Sequence, residues 1–186
     1  MNPKDIIENS AKVIQDCATH AELVEQITQK ICQAFSEQRK ILLAGNGGSA
    51  AEATHIAAEF VGKFNMERKG LPAISLAADL SAITSIGNDY GFEKIFSRQI
   101  EALGNRGDIF IALTTSGNSE NLIEAVATAK KMGLIVICLL GKGGGKLKGQ
   151  GYLEIVVGSN NTAHIQEAHL VLLHSVCELV DAKLFK

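Results

Sequence analysis

Residues 40–62 read KILLAGNGGSAAEATHIAAEFVG, and this stretch decides the fold. Lys40 to Ala44 is a short aliphatic run without alternation, the pattern of a strand covered on both faces. It ends at Gly45-Asn46-Gly47-Gly48, where glycines permit a tight turn and let backbone N–H groups converge. Ser49 is placed to cap a helix running to about Gly62, with Glu52 three residues on as its capping-box partner. Strand, glycine turn and helix in this order are the opening half of a βαβ unit.

The same order recurs along the chain. Asp108 to Leu113 is a second buried strand. The hydroxyl-rich turn Thr114-Thr115-Ser116-Gly117-Asn118-Ser119 leads from it into a helix over 119–132, stopped by Gly133. Leu134 to Leu140 is another continuous apolar strand. A basic, glycine-rich loop follows over Gly141–Gly151 and is expected to be a solvated connection, with substrate gating as the alternative. Glu154 to Val157 makes a last short strand, and a long helix runs from Thr162 to about Lys183. Upstream, residues 3–38 predict two helices broken near Thr19–His20. A short strand lies at Ala73–Leu76, and helices are expected near 79–86 and 92–103, separated by Gly87–Gly91. The fold class is α/β, a three-layer sandwich on a central, mostly parallel sheet of flavodoxin-like topology. The expected organisation is an N-terminal helical extension, 1–38, and one domain, 39–186.

Composition narrows the function. The 186 residues are 46% hydrophobic but only 5% aromatic, enough for one aliphatic core. With 18 basic and 20 acidic residues the net charge is −2, so neither nucleic acid nor an anionic membrane is an expected partner. No secretory signal is read in Met1–Ser10, and the longest apolar run is far too short to span a bilayer. Cys17, Cys32, Cys138 and Cys177 are widely spaced in apolar stretches, which suits buried thiols in a reducing cytoplasm. The 18 glycines against 2 prolines are the unusual feature. Without a repeat period, they point to turns where backbone meets ligand.

Both turns sit at carboxyl ends of buried strands, where ligands bind in this fold class. Amides, hydroxyls and helix N-termini together suit a phosphate monoester without lysine. Gly45-x-Gly47-x-x-Ala50 also fits the loose dinucleotide fingerprint, but no acid follows at the required distance. Residues 143–146 lack the spacing of a Walker A motif.

Polar residues inside the helices add chemistry. His55 and Glu59 are four apart and share a helix face, where they can bind one metal ion. On the last helix Gln166 and His174 are about 80° and about 12 Å apart. His164, Glu167 and His169 remain alternative ligands on pattern alone.

Three segments carry a specific resemblance: 46–55 (NGGSAAEATH), 86–92 (IGNDYGF) and 162–169 (TAHIQEAH). With the Ser-Gly-Asn-Ser turn they resemble the sugar isomerase (SIS) domain, and within it the phosphoheptose isomerase family, over essentially the whole chain. The resemblance implies a phosphosugar-binding domain at 39–186 and one zinc ion per subunit, held by His55, Glu59, Gln166 and His174. It implies Glu59 and His174 as the acid/base pair. It implies substrate contacts from Asn46, Gly47, Gly48, Glu59, Asn88, Asp89, Thr114, Thr115, Ser116, Ser119 and Gln166, with Ser49 adjoining the phosphate. The implied reaction converts sedoheptulose 7-phosphate to D-glycero-D-manno-heptose 7-phosphate in the cytoplasm, in a homotetramer with active sites at subunit interfaces. Thr114 stands where Ser is frequent, and Ala163-His164 replaces a frequent acid-or-alanine followed by arginine. The alternative is a non-catalytic SIS protein that binds phosphosugar or associates with the replication initiator DnaA. The retained His55, Glu59, Gln166 and His174 favour the enzyme.

Overall fold

The computed structural model describes residues 2–185. Two helices open the chain, α1 (Pro3–Asp16) and α2 (Ala21–Ser36), separated by a short 3₁₀ turn at Cys17–His20. Strand β1 (Ile41–Gly45) leads into α3 (Gly48–Val61), and β2 (Ala73–Ser75) into α4 (Leu80–Tyr90) and α5 (Ser97–Leu103). Then come β3 (Ile109–Thr114), α6 (Glu120–Met132), β4 (Ile135–Leu140), β5 (Leu153–Val156) and α7 (Thr162–Phe185).

All five strands are parallel, in the order β2-β1-β3-β4-β5. This is a doubly wound sheet whose order reverses between β1 and β3, so the turns leaving those strands flank the crevice where such folds bind ligands. Strand side chains alternate between two cores. Ile41, Leu43, Ile109, Ile111 and Leu113 join a cluster with Ile27 and Ile31 of α2, Ile56 and Phe60 of α3 and Leu173 of α7. Leu42, Ala44, Phe110 and Ala112 face the opposite layer, with Ile100 of α5 and Leu122 and Val126 of α6. Two apolar faces explain why the strand sequences show no alternation. By contrast α1 buries no residue and leaves Ile6 and Ile7 exposed.

Several local expectations change. Ser49 does not cap α3: Gly47 occupies the N-cap with φ +55°, a conformation glycine adopts at no steric cost, and the capping box with Glu52 is not formed. The segment expected at 79–86 continues to Tyr90, because Asp79 caps its start by accepting from the Ala82 amide at 3.0 Å and no breaker acts before Gly91, φ +95°. Gly87 is therefore helical. The 141–151 loop is largely solvent-exposed as expected, but it also sends Leu147, fully buried, into the second core. The four cysteines are free thiols, three buried and Cys32 half-buried. Among the described residues no helix is long and apolar enough to cross a membrane.

Candidate functional site

The first turn is built for close approach. A Cβ on Gly45 would stand 2.4 Å from the Ser49 carbonyl oxygen, and one on Gly48 would stand 2.5 Å from the Gln166 carboxamide. No side chain among the described residues caps α3; the Ser49 and Ala50 amides instead donate to the Asn46 and Gly47 carbonyls at 3.0 and 3.1 Å, and the helix N-terminus points its positive end at the turn. Gln166, from α7, closes the turn by donating from Nε2 to Ser49 Oγ at 3.4 Å. It lines a pocket shared with Gly48, Glu52 and His55.

The second turn holds its shape with its own hydroxyls. Thr114 Oγ1 accepts from the Ser116 amide at 3.4 Å and the Gly117 amide at 3.2 Å. Ser116 Oγ accepts from the Asn118 amide at 3.2 Å. Ser119 occupies the N-cap of α6 without a side-chain cap bond, which leaves that helix end open too. The two turns are fastened together by a reciprocal amide pair. Asn46 Nδ2 donates to Asn121 Oδ1 at 2.9 Å, and Asn121 Nδ2 returns the bond to Asn46 Oδ1 at 2.8 Å. Asn46, Gly47, Ser119 and Asn121 line one cleft of about 560 Å³. Asn121, buried on α6, was not singled out from sequence. Its signal was a lone carboxamide on a helix face otherwise given to Leu122, Ala125 and Val126.

Behind the turns, α3 and α7 bring three of the four expected metal ligands together. His55, Glu59 and His174 each offer a donor atom within 4.8 Å of the others. His55 Nε2 lies 2.9 Å from His174 Nε2 and 3.5 Å from Glu59 Oε1. Phe64 stacks on the His174 ring, centroids 5.5 Å apart, and fixes its plane. Burial lowers the pKa of His174 and the neighbouring His55 adds to this, with Glu59 opposing, so the ring favours its neutral form. Two imidazoles and a carboxylate form the three-protein-ligand set of catalytic zinc sites, which keep a further position open. Donor atoms about 2 Å from one ion lie about 3–3.5 Å apart, so the observed spacing fits a small divalent metal.

A buried clamp sets this geometry. Arg68 Nε donates to Asp181 Oδ1 at 2.6 Å, and both side chains are nearly inaccessible. Arg68 Nη2 and Nη1 also donate to the carbonyls of Glu59 (2.8 Å) and Phe60 (2.9 Å). One guanidinium therefore caps the carboxyl end of α3 and ties it to α7.

Glu52 has a different role from the one its spacing suggested. It is 5% exposed, and both carboxyl oxygens lack a hydrogen-bond partner among the described residues. Burial pushes its pKa up to about 7, and Ser49 one turn earlier tempers the shift without forming a hydrogen bond of good geometry. The legible signal was that Glu52, His55 and Glu59 share one helix face. The alternative ligands fall away from the trio. His169 is fully buried with Nε2 3.2 Å from the Leu140 carbonyl oxygen, His164 faces Asn161, and Glu167 accepts from Ser10. Asn88 and Asp89 are exposed at the end of α4, and Asp89 lines a separate cleft with Tyr90 and Arg98.

A doubly wound sheet with paired glycine and hydroxyl turns at its switch point defines a sugar-phosphate-binding domain. Residues 6–141 match the family model of the SIS domain. The chain is 46% identical to the phosphoheptose isomerase of Clostridium acetobutylicum over 98% of its own length and 92% of that protein. It is 47% identical to that of Campylobacter concisus over 96% of each. The solved phosphoheptose isomerase of Neisseria gonorrhoeae superposes with a TM-score of 0.91 at 39% identity, covering 96% of both chains. That of Francisella tularensis gives 0.92 at 37% identity, over 98% of this chain and 100% of the other. The chain belongs to the phosphoheptose isomerases of the SIS domain family, and is an isomerase.

Proposed function

We propose that the protein converts D-sedoheptulose 7-phosphate to D-glycero-D-manno-heptose 7-phosphate through an enediol(ate), opening nucleotide-activated heptose biosynthesis. The observation that carries the reading is the convergence of His55, Glu59 and His174, from α7 and from the helix that starts at the first glycine turn, in a phosphoheptose isomerase fold. The phosphate rests on Thr114, Thr115, Ser116 and Ser119, with Asn46, Gly47, Gly48 and Ser49 opposite. Helix N-termini and hydroxyls hold it, which accords with a net charge of only −2.

Glu59 and His174 divide the proton transfers between them. One removes the C1 proton of the ketose and returns it at C2, while the other moves protons between O1 and O2. Aldose and ketose are isomers, so no redox cofactor is consumed. His55, Glu59 and His174 would hold zinc, with Gln166 completing the set from the adjoining pocket. When bound, zinc supplies electrostatic stabilisation of negative charge developing on substrate oxygens. Arg68 and Phe64 keep the two proton-transfer residues in register.

The same reading includes a cytoplasmic homotetramer with sites at subunit interfaces. Residues 1–38 serve assembly in part: Ile6 and Ile7 of α1 stay exposed, as do Leu80, Tyr90 and Phe92. In this reading Asn88 and Asp89, exposed outside the turn cleft of their own chain, contribute to a neighbour's site. The retained acid, base and ligand residues favour this enzyme over a DnaA-associating regulator. An isomerase assay on sedoheptulose 7-phosphate with zinc analysis and light scattering tests the reading. Turnover, about one zinc per chain and a mass near four chains are expected. No turnover by the zinc-loaded protein would overturn it.

A further inference from the structure

The Gly141–Gly151 loop, expected to be solvated, packs against the second turn. A Cβ on Gly117 would stand 1.8 Å from the Gly144 carbonyl oxygen, and one on Gly145 would stand 2.3 Å from the Ser116 carbonyl oxygen. Backbone is thus in contact with backbone at two places, each at a glycine in a left-handed conformation, φ +66° and +54°. The Leu147 amide donates to the Gly117 carbonyl at 3.1 Å. At the centre, Asn118 Oδ1 accepts from the Lys146 amide at 3.0 Å. The Asn118 side chain is directed at the loop, although it belongs to a turn whose other polar residues define the phosphate cradle. The far side of the loop is anchored by Leu147, fully buried in the core.

We propose that Asn118 is a positioning residue for phosphate binding: it fixes the Ser116–Ser119 backbone by tethering the turn to the core-anchored 141–151 loop. The inference rests on the reading that this turn holds the phosphate. An untethered turn samples other backbone conformations, and its amides and hydroxyls must be reordered whenever phosphate binds. The cost falls on phosphate affinity and spares the proton transfers at Glu59 and His174. The expected signature is a higher KM at unchanged kcat.

The test is Asn118→Ala, an exposed position where folding is expected to survive. Loss of one hydrogen bond predicts a rise of about five- to tenfold in KM and in the inhibition constant of inorganic phosphate, with kcat little changed. Hydrogen exchange at the Lys146 and Leu147 amides should accelerate. Leu147→Val, loosening the loop from the core side, should shift the same quantities, and the double variant should be less than additive. Unchanged KM and phosphate inhibition in Asn118→Ala, or unchanged loop exchange, overturns the tether. Thr115→Ala and Ser119→Ala are the control. If neither weakens phosphate inhibition, the phosphate placement itself has failed, whereas accelerated loop exchange would still report the tether.

Discussion

Replacing Asp181 by Asn probes the clamp that holds the two site helices together. Arg68 is always charged, and its side chain is 1% exposed. Its other N–H groups bond to carbonyls, including those of Glu59 and Phe60, so it stays in place when the carboxylate is removed. The variant therefore buries a cation without a counter-charge, which costs about 3–5 kcal/mol. Against a domain stability of about 5–15 kcal/mol, that is a large fraction. Urea unfolding of the metal-free protein at neutral pH measures it. The loss should come with weakened metal affinity at the proposed zinc site, because α3 carries His55 and Glu59 while α7 carries His174. Arg68→Met combined with Asp181→Leu should cost well under the sum of the single changes, since no buried charge is then stranded. A cost below about 1 kcal/mol for Asp181→Asn, the range of an exposed pair, would refute the reasoning.

Two further predictions concern single positions. Gly48→Ala places a methyl 2.5 Å from the Gln166 carboxamide, the movable end of a long side chain, so stability should hold while kcat/KM falls; assay and thermal melt together check this. His169 has its pKa lowered to about 4 by burial, so its contribution to stability is complete above about pH 6.5 and is lost as pH falls toward 4. It amounts to roughly 3 kcal/mol, and His169→Gln should flatten the urea midpoint between pH 7.5 and pH 5 relative to the parent protein.

The fold was legible because its signals are local and strong. Ile41–Ala44, Ile109–Leu113 and Ile135–Leu140 are uninterrupted apolar runs, and each is followed by a glycine or hydroxyl turn. Gly133 ends α6 in the left-handed conformation that glycine allows, as its position suggested. The trio was partly legible, since His55 and Glu59 share a helix face by spacing alone. That His174 joins them depends on how α7 packs on α3, which no local pattern encodes. The resemblance supplied it. The partners that shape the site escaped notice for the same reason. Asn46–Asn121 and Asn118–Lys146 are contacts between distant segments, and Arg68–Asp181 spans most of the chain. Glu52 was misread because its spacing from Ser49 matched a capping box, while Gly47 had already turned the chain into the helix. The 141–151 loop is solvated as its charge suggested, with its lysines exposed, but its glycines also press backbone on the second turn, a contact between segments that no local pattern encodes.

Glu59 and His174, side by side on α3 and α7, are proposed to move the protons of an aldose–ketose isomerisation. Glu59→Gln keeps the size of the side chain and removes its basicity. The most direct measurement pairs turnover of sedoheptulose 7-phosphate by this variant with calorimetric binding of the same sugar. Turnover should fall by at least about a hundredfold while the phosphosugar still binds. Full activity in Glu59→Gln would contradict it.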